Sequence, residues 1–317
     1  MAITESPPHD VGDYQNMWAL AQTHPDARRH VVDLPYRLRA PSALDRENVR
    51  LWTNERAEVI GWAILQWEFW TLDYAILPGP TAATVAGNIL LWAIEGTARR
   101  ATSRGEPLRL FVDAREPGPP PALPLDEFGF TLYPEWRQYH MERPVDLAPK
   151  QPNIPRGFTI RPLAGMDEVD AYVDLHHAAF DSTNMTREWR EAILRSPHYT
   201  PDLDLVAVAP DGALAGFCIC WLNTTARWET GPEITGQVEP IGVAPAYQGS
   251  GLGRALMYEG VRRMAEHGAQ RMFVEVDAEN EAARSLYESA GFRVRETIHK
   301  YMLEVPPHGQ VAIDIQA

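Results

Sequence analysis

Cysteine is nearly absent from this chain: Cys218 and Cys220 are the two that its 317 residues carry. A disulfide framework is therefore excluded, and an apolar core must hold the fold. The pair stands two apart in the apolar run Phe217-Cys218-Ile219-Cys220-Trp221, so on a strand both thiols share a face and pack inward. With no histidine beside them they make a poor zinc site, and His176-His177 lacks a third ligand at metal spacing; no metal is expected. Long apolar runs are missing too. None approaches the roughly 18 residues of a membrane span, and MAITESPPHD lacks the basic and apolar regions of a signal peptide. No membrane partner and a reducing, cytoplasmic location are the expectation. Positive charge is in deficit, 29 Lys and Arg against 43 Asp and Glu, for a net charge of −14. That balance argues against nucleic acid, whose phosphates need clustered basic residues. It weakly favours cationic over anionic substrates.

What is present is an ordinary globular composition, 45% hydrophobic and 23% charged, in a chain long enough for two domains. Its most informative stretch is Gln248-Gly249-Ser250-Gly251-Leu252-Gly253-Arg254, set between the apolar Ile241-Gly242-Val243 and a helical run from Ala255 to His267. A strand, a glycine turn and a helix N-terminus in that order suit an anion, because the first helical N–H groups and the positive end of the dipole point at the turn. An ordinary strand-to-helix turn would read the same from the glycines alone. A Walker A loop is excluded because Arg254-Ala255, not Lys-Ser/Thr, follows Gly253. The dinucleotide pattern Gly-x-Gly-x-x-Gly fails from Gly249, where Arg254 ends it, and from Gly251, where Leu256 does.

The pattern that fits is Gln-x-x-Gly-x-Gly. It resembles the coenzyme A pyrophosphate loop of the GNAT superfamily of acyl-CoA-dependent N-acyltransferases. The resemblance continues through Asn280, Ala283, Leu286-Tyr287 and Gly291-Phe292, which match that family's Asn-x-x-Ala-x-x-Leu-Tyr-x-x-x-Gly-Phe signature.

Read in order, the chain predicts two copies of one α/β pattern. In the first, strands over 49–52, 60–66 and 72–77 lead to a helix from Thr81 or Thr84 to about Ser103, with Gly105 just past its end. A strand over 108–112, a proline-rich connection and a last strand over 136–141 follow. In the second, a strand over 158–163, helices over 167–180 and 186–196, and strands over 205–208 and 214–222 precede the glycine loop. A helix, a strand over 272–276, a second helix and a final strand come after it. Echoes at nearly one offset support duplication: Glu95-Gly96 with Glu259-Gly260, Leu110-Phe111-Val112-Asp113 with Met272-Phe273-Val274-Glu275, and Gly129-Phe130 with Gly291-Phe292. The fold class is thus α/β, two tandem GNAT-like domains, each a mixed twisted sheet flanked by helices. The expected division is 1–148, a proline-rich linker over 149–155, and 156–317.

The copies differ where chemistry would sit. Opposite the glycine loop the first copy has roughly Thr84-Val85-Ala86-Gly87-Asn88-Ile89, and Leu125 stands four residues before Gly129 where Tyr287 precedes Gly291. The first copy is expected to have lost coenzyme binding and the second to be catalytic. Most of the ten tryptophans lie before residue 140; core packing is the plain reading, and a wall of an acceptor pocket the sharper one.

The resemblance implies the site. Acetyl-CoA, as co-substrate and without metal, would lie where the fourth and fifth strands part. Gln248, Gly249, Ser250, Gly251, Leu252, Gly253 and Arg254 would hold its pyrophosphate, and Ile241, Gly242 and Val243 its pantetheine arm, with Asn280 at the start of the next helix. Arg254, Arg262, Arg263 and Arg284 are the cations that could offset its charge. Pro240 cannot donate to a ladder, so a bulge is expected there. Glu239 and Glu275 compete as general base and Tyr287 is the candidate acid. Gln237 stands where some members carry a glutamate. The implied activity is acetyl transfer to a small-molecule amine, by a monomer or homodimer. The alternative is a non-catalytic acyl-CoA-binding module whose first domain docks a protein.

Overall fold

The computed structural model describes residues 2–23, 34–117, 122–144, 148–227 and 231–308. The first half of the chain forms β1 (Thr4–Ser6), α1 (Val11–Thr23), α2 (Leu34–Arg37), α3 (Pro41–Leu44), β2 (Val49–Thr53), β3 (Val59–Gln66), β4 (Thr71–Ile76), α4 (Ala82–Arg104), β5 (Leu108–Glu116) and β6 (Thr131–Pro144). The second half forms β7 (Thr159–Pro162), α5 (Val169–Phe180), α6 (Arg187–Leu194), β8 (Asp204–Val208), β9 (Leu214–Arg227), β10 (Gly231–Val243), α7 (Leu252–Glu266), β11 (Arg271–Asp277), α8 (Glu281–Ser289) and β12 (Arg293–Val305). No described helix is long and apolar enough to cross a membrane.

Two compact units result. One comprises Met1–Val32, Pro41–Arg137 and Thr297–Ala317; the other comprises Asp33–Ala40 and Gln138–Glu296. They differ from the contiguous halves expected on either side of 149–155. Strand β6 passes from the first unit into the second at Gln138, and β12 returns to the first at Thr297. Proline content marks where a chain leaves regular structure; it does not say which sheet edge a strand will join.

In the first unit β1-β2-β3-β4 form an antiparallel sheet, and β5 pairs antiparallel with Thr297–Val305 of β12. Helix α4 lays Val85, Ile89, Leu90 and Ala93 on Leu65, Tyr74, Leu110 and Val112. In the second unit β7-β8-β9-β10 are antiparallel, β10 pairs parallel with β11, and β11 pairs antiparallel with residues 138–144 of β6. Helix α7 buries Leu252, Leu256, Met257, Val261 and Met264 with Cys218, Cys220, Val238 and Val274. Each such side chain contributes roughly 1.5–3 kcal/mol of apolar transfer before chain entropy is charged against it.

The Glu-Gly echo has a structural cause. A Cβ on Gly96 of α4 would lie 2.7 Å from Leu65 Cδ1 of β3, and one on Gly260 of α7 would lie 2.9 Å from Cys220 Sγ of β9. Each helix comes this close to the strand beneath it here, so a hydrogen is all that fits. The two thiols, 3.8 Å apart and not disulfide-bonded, share the inward face as expected. Trp52, Trp62 and Trp221 are fully buried, Trp70 is exposed, and Trp228 lies outside the described side chains.

Candidate active site

The glycine loop begins where β10 ends. Gln248 Nε2 donates to Val243 O at 3.1 Å, tying the loop's first residue back to the strand. Gly249 (φ +74) and Gly251 (φ +89) adopt the left-handed backbone that side chains disfavour. Ser250 Oγ donates to Tyr247 O at 2.6 Å and accepts from Leu252 N–H at 3.4 Å. Gly253 is different: a Cβ there would meet Val243 and Leu286 no closer than 3.5 Å, so neither backbone angle nor packing demands glycine. The N–H groups of Gly253 and Arg254 have no protein acceptor among the described residues, as expected for the start of a helix. Arg254 is exposed at this mouth. The other three candidate cations are engaged: Arg262 with Glu259 and Glu266, Arg263 with Glu259 and Asp202, and Arg284 with Glu288.

Beside the loop the sheet opens. Strands β10 and β11 pair only from Thr235↔Arg271 to Gln237↔Phe273, while β11 continues along β6 to Asp277↔Gln138. Among the described residues, the β11 side of β10 past Gln237 has no strand partner, and Ile241, Gly242 and Val243 lie in this stretch, paired to Cys218, Phe217 and Gly216 of β9. Between the pairs Val238↔Cys220 and Ile241↔Cys218, Glu239 and Pro240 face the single residue Ile219. This is the expected bulge, and Pro240, which has no N–H, explains its position. Trp221 Nε1 donates to Glu239 O at 2.7 Å and anchors it.

The structure brings Glu239 and Tyr287 together electrostatically. Burial, then the charge of Glu239 and then Cys218, hold the Tyr287 phenol well above the ordinary tyrosine range. The ring is buried in the α7 core, edge-on to Phe292 at 6.4 Å. Asn280 caps α8: its Oδ1 accepts from Ala283 N–H at 3.0 Å. Glu275 lies on β11, two residues past its last pair with β10. It is directly opposite His140 on β6, with His140 Nδ1 3.4 Å from its carboxylate. At the same place in the first unit Asp113 is directly opposite Lys300, 2.6 Å away. An acid directly opposite a base thus recurs in the copy that has no glycine loop.

Sequence reasoning missed a polar cluster on the α5–α6 side of the sheet. Arg190 and Asp204, both fully buried, form an ion pair. The Arg190 guanidinium lies 3.7 Å from the Tyr172 ring centroid, and Tyr199 donates to Asp204 at 2.8 Å. Burial opposes the Arg190 charge, and Asp204 together with Tyr172 and Tyr199 more than offsets it, so the cation persists. Burial above all keeps Tyr172 protonated, with Asp204 and Glu239 adding to the effect and Arg190 opposing it. His176 stacks on Phe217 at 5.7 Å, and burial, with His177 and Arg190, pulls its pKa down to about 4. No spacing rule announces these residues, because they meet through three elements. Among the described residues no cluster of metal-binding side chains occurs.

The fold and this site define a GNAT protein, and comparison with known proteins agrees. A profile described as the acetyltransferase (GNAT) family matches residues 169–292. A mycothiol acetyltransferase of Streptomyces avermitilis is 34% identical over 183 residues, 56% of this chain and 56% of that protein. One from Kineococcus radiotolerans is 34% identical over 223 residues, 68% of this chain and 66% of that protein. The matches thus span about half to two thirds of these relatives' length. A solved tandem GNAT protein from the clavulanic acid biosynthesis pathway aligns over 96% of this chain and 99% of its own, at a TM-score of 0.65 and 15% identity, a likeness of fold. The chain belongs to the acetyltransferase (GNAT) family and has its tandem fold.

Proposed function

We propose that this protein transfers an acetyl group from acetyl-CoA to the amine of a small molecule, within its second unit. The observation that carries the proposal is the joint placement of a glycine loop with free first-turn N–H groups, a strand that parts from its neighbour, and a carboxylate coupled to a buried phenol at the parting. Residues 248–254 would take the pyrophosphate, and the open edge of Ile241, Gly242 and Val243 the pantetheine arm. Asn280, whose Oδ1 is used in its cap, retains its amide N–H groups for the same ligand.

Glu239, half-buried, accepts the proton of the incoming ammonium, directly or through water. A backbone N–H on the unpaired side of β10 receives the oxyanion of the tetrahedral intermediate. The phenol of Tyr287, held protonated, then donates a hydrogen bond to the departing thiolate. Electrostatic stabilisation of the leaving group is its role. The name of the matched relatives makes a mycothiol-related amine the first acceptor to try.

The test is thiol release from acetyl-CoA with a panel of amines, in wild type and in Tyr287→Phe. Turnover in the variant should fall about tenfold or more, with acetyl-CoA binding and melting temperature nearly unchanged. The loss should shrink for an acyl donor with a more acidic thiol. Coenzyme binding without thiol release from any amine would leave a non-catalytic acyl-CoA-binding protein.

A further inference from the structure

Trp221 of β9, Gln237 of β10 and Phe273 of β11 stand in register, on one face of the second sheet. Gln237↔Phe273 is the last pair before the strands part, so Gln237 occupies the base of the opening, two residues before Glu239. Its side chain is 2% exposed, and Oε1 is buried with no hydrogen-bond partner among the described residues. Buried side-chain acceptors are nearly always paired, so this one calls for a donor.

The first unit supplies a control. There Thr71, at the same place on β4, donates through Oγ1 to the carbonyl of Phe111, the counterpart of Phe273, at 3.4 Å. Thr71 is satisfied inside the protein in the copy that has no glycine loop, whereas Oε1 of Gln237 has no partner among the described residues.

We infer that Gln237 determines acceptor specificity: its Oε1 accepts a hydrogen bond from a second donor, an O–H or N–H group, carried by the amine that is acetylated. This rests on the acetyltransferase reading above. Two residues along a strand span about 6–7 Å, which sets the separation between the reacting nitrogen at Glu239 and the second donor. Amino alcohols and diamines with four or five intervening atoms, or a ring of that span, are the matching class. An amine lacking the donor strands Oε1 in the cleft, and sites that hydrogen-bond their substrate reject such analogues strongly.

The experiment compares 4-amino-1-butanol with butylamine in the full chain. Wild type should favour the amino alcohol in kcat/KM by about tenfold or more. Gln237→Met, similar in length, should bring the ratio to about one. Gln237→Glu, which keeps an acceptor atom, should restore it. A general loss of structure would lower both amines alike and leave the ratio standing. Equal use of the two amines by wild type, or an unchanged ratio in Gln237→Met, would overturn the inference while leaving acetyl transfer intact. Titration of both amines into the coenzyme A-loaded protein separates the two ideas. Tighter binding of the amino alcohol, lost in Gln237→Met but without thiol release, would uphold the role of Gln237 and overturn acetyl transfer.

Discussion

The two units repeat one design, and their differences fall in one place. Both set a helix closely on a sheet at a helical glycine, Gly96 in one and Gly260 in the other. Both have an acid directly opposite a base on the strand after that helix. They part company at the fork. Pairing of β3 with β4 runs unbroken from Gly61↔Ile76 to Gln66↔Thr71, whereas β9–β10 carries the Glu239-Pro240 bulge. The loop before α4 is residues 77–81, where one positive-φ glycine, Gly79 (φ +150), stands between Pro78 and Pro80, which lack N–H groups. The phenol of Tyr287 is answered by buried Leu125. The shared features lie in helix–sheet packing and the unshared ones around the opening.

The strand exchange offers the largest test. A chain cut to residues 156–317 keeps the glycine loop but loses residues 138–144, the antiparallel partner of β11. Met141 leaves the core, and so does Arg143, whose Nε donates to Ala290 O at 2.9 Å. It should show no cooperative melt by circular dichroism and bind no acetyl-CoA. A sharp melt with coenzyme bound would make the second unit self-sufficient.

Next in size is the base. Glu239→Gln should cost roughly 10²-fold in turnover and flatten the acidic limb of the pH profile. Glu275→Gln should act like Asp113→Asn, its counterpart, lowering melting temperature more than turnover. If Glu275→Gln instead abolishes thiol release at an unchanged melt, the parallel between the two acid–base pairs fails.

Acid should loosen the second unit before the first. An unfolded His176 takes up a proton below about pH 6.5, while the folded one, held down to about 4 by burial, resists it. The unfolded state then binds more protons, so stability present above pH 6.5 is lost as pH falls toward 4, by roughly 3 kcal/mol in full. Denaturant titrations at pH 7 and 4.5 should show that slope in wild type. His176→Phe, which keeps an aromatic ring against Phe217, should largely lose it.

The smallest effects have opposite signs within one helix. Gly87 has nothing within 4 Å of its would-be Cβ, so Gly87→Ala should stabilise α4 by about 0.5–1 kcal/mol. Gly96→Ala should destabilise by about 1–3 kcal/mol, because Leu65 must move. Denaturation midpoints decide both. The result for Gly87 also bears on the expected counterpart of the glycine loop: Thr84–Ile89 lies inside α4, so the true counterpart is the loop over 77–81. The offset between copies shifts where loop lengths differ, and echoes from the helix interior cannot detect that. The stretch from Trp221 to Ile234 is largely the β9–β10 hairpin, whose tip at 228–230 lies outside the described residues. In the proline-rich connection, Pro119, Pro120 and Pro121 lie outside them too.

Features governed by neighbouring residues were legible in the sequence alone. The glycine loop, the bulge at Pro240, the cap at Asn280, the inward pair of cysteines and the duplicated α/β order each follow from backbone angles, a missing N–H or a two- or four-residue period. Tertiary structure alone decided the rest. Which strand completes which unit, which glutamate faces a base, and which buried carbonyl is left without a donor depend on register between segments far apart in the chain. Periodicity fixes the face a side chain takes within its own strand; the identity of the residue across from it is set only when the sheets assemble.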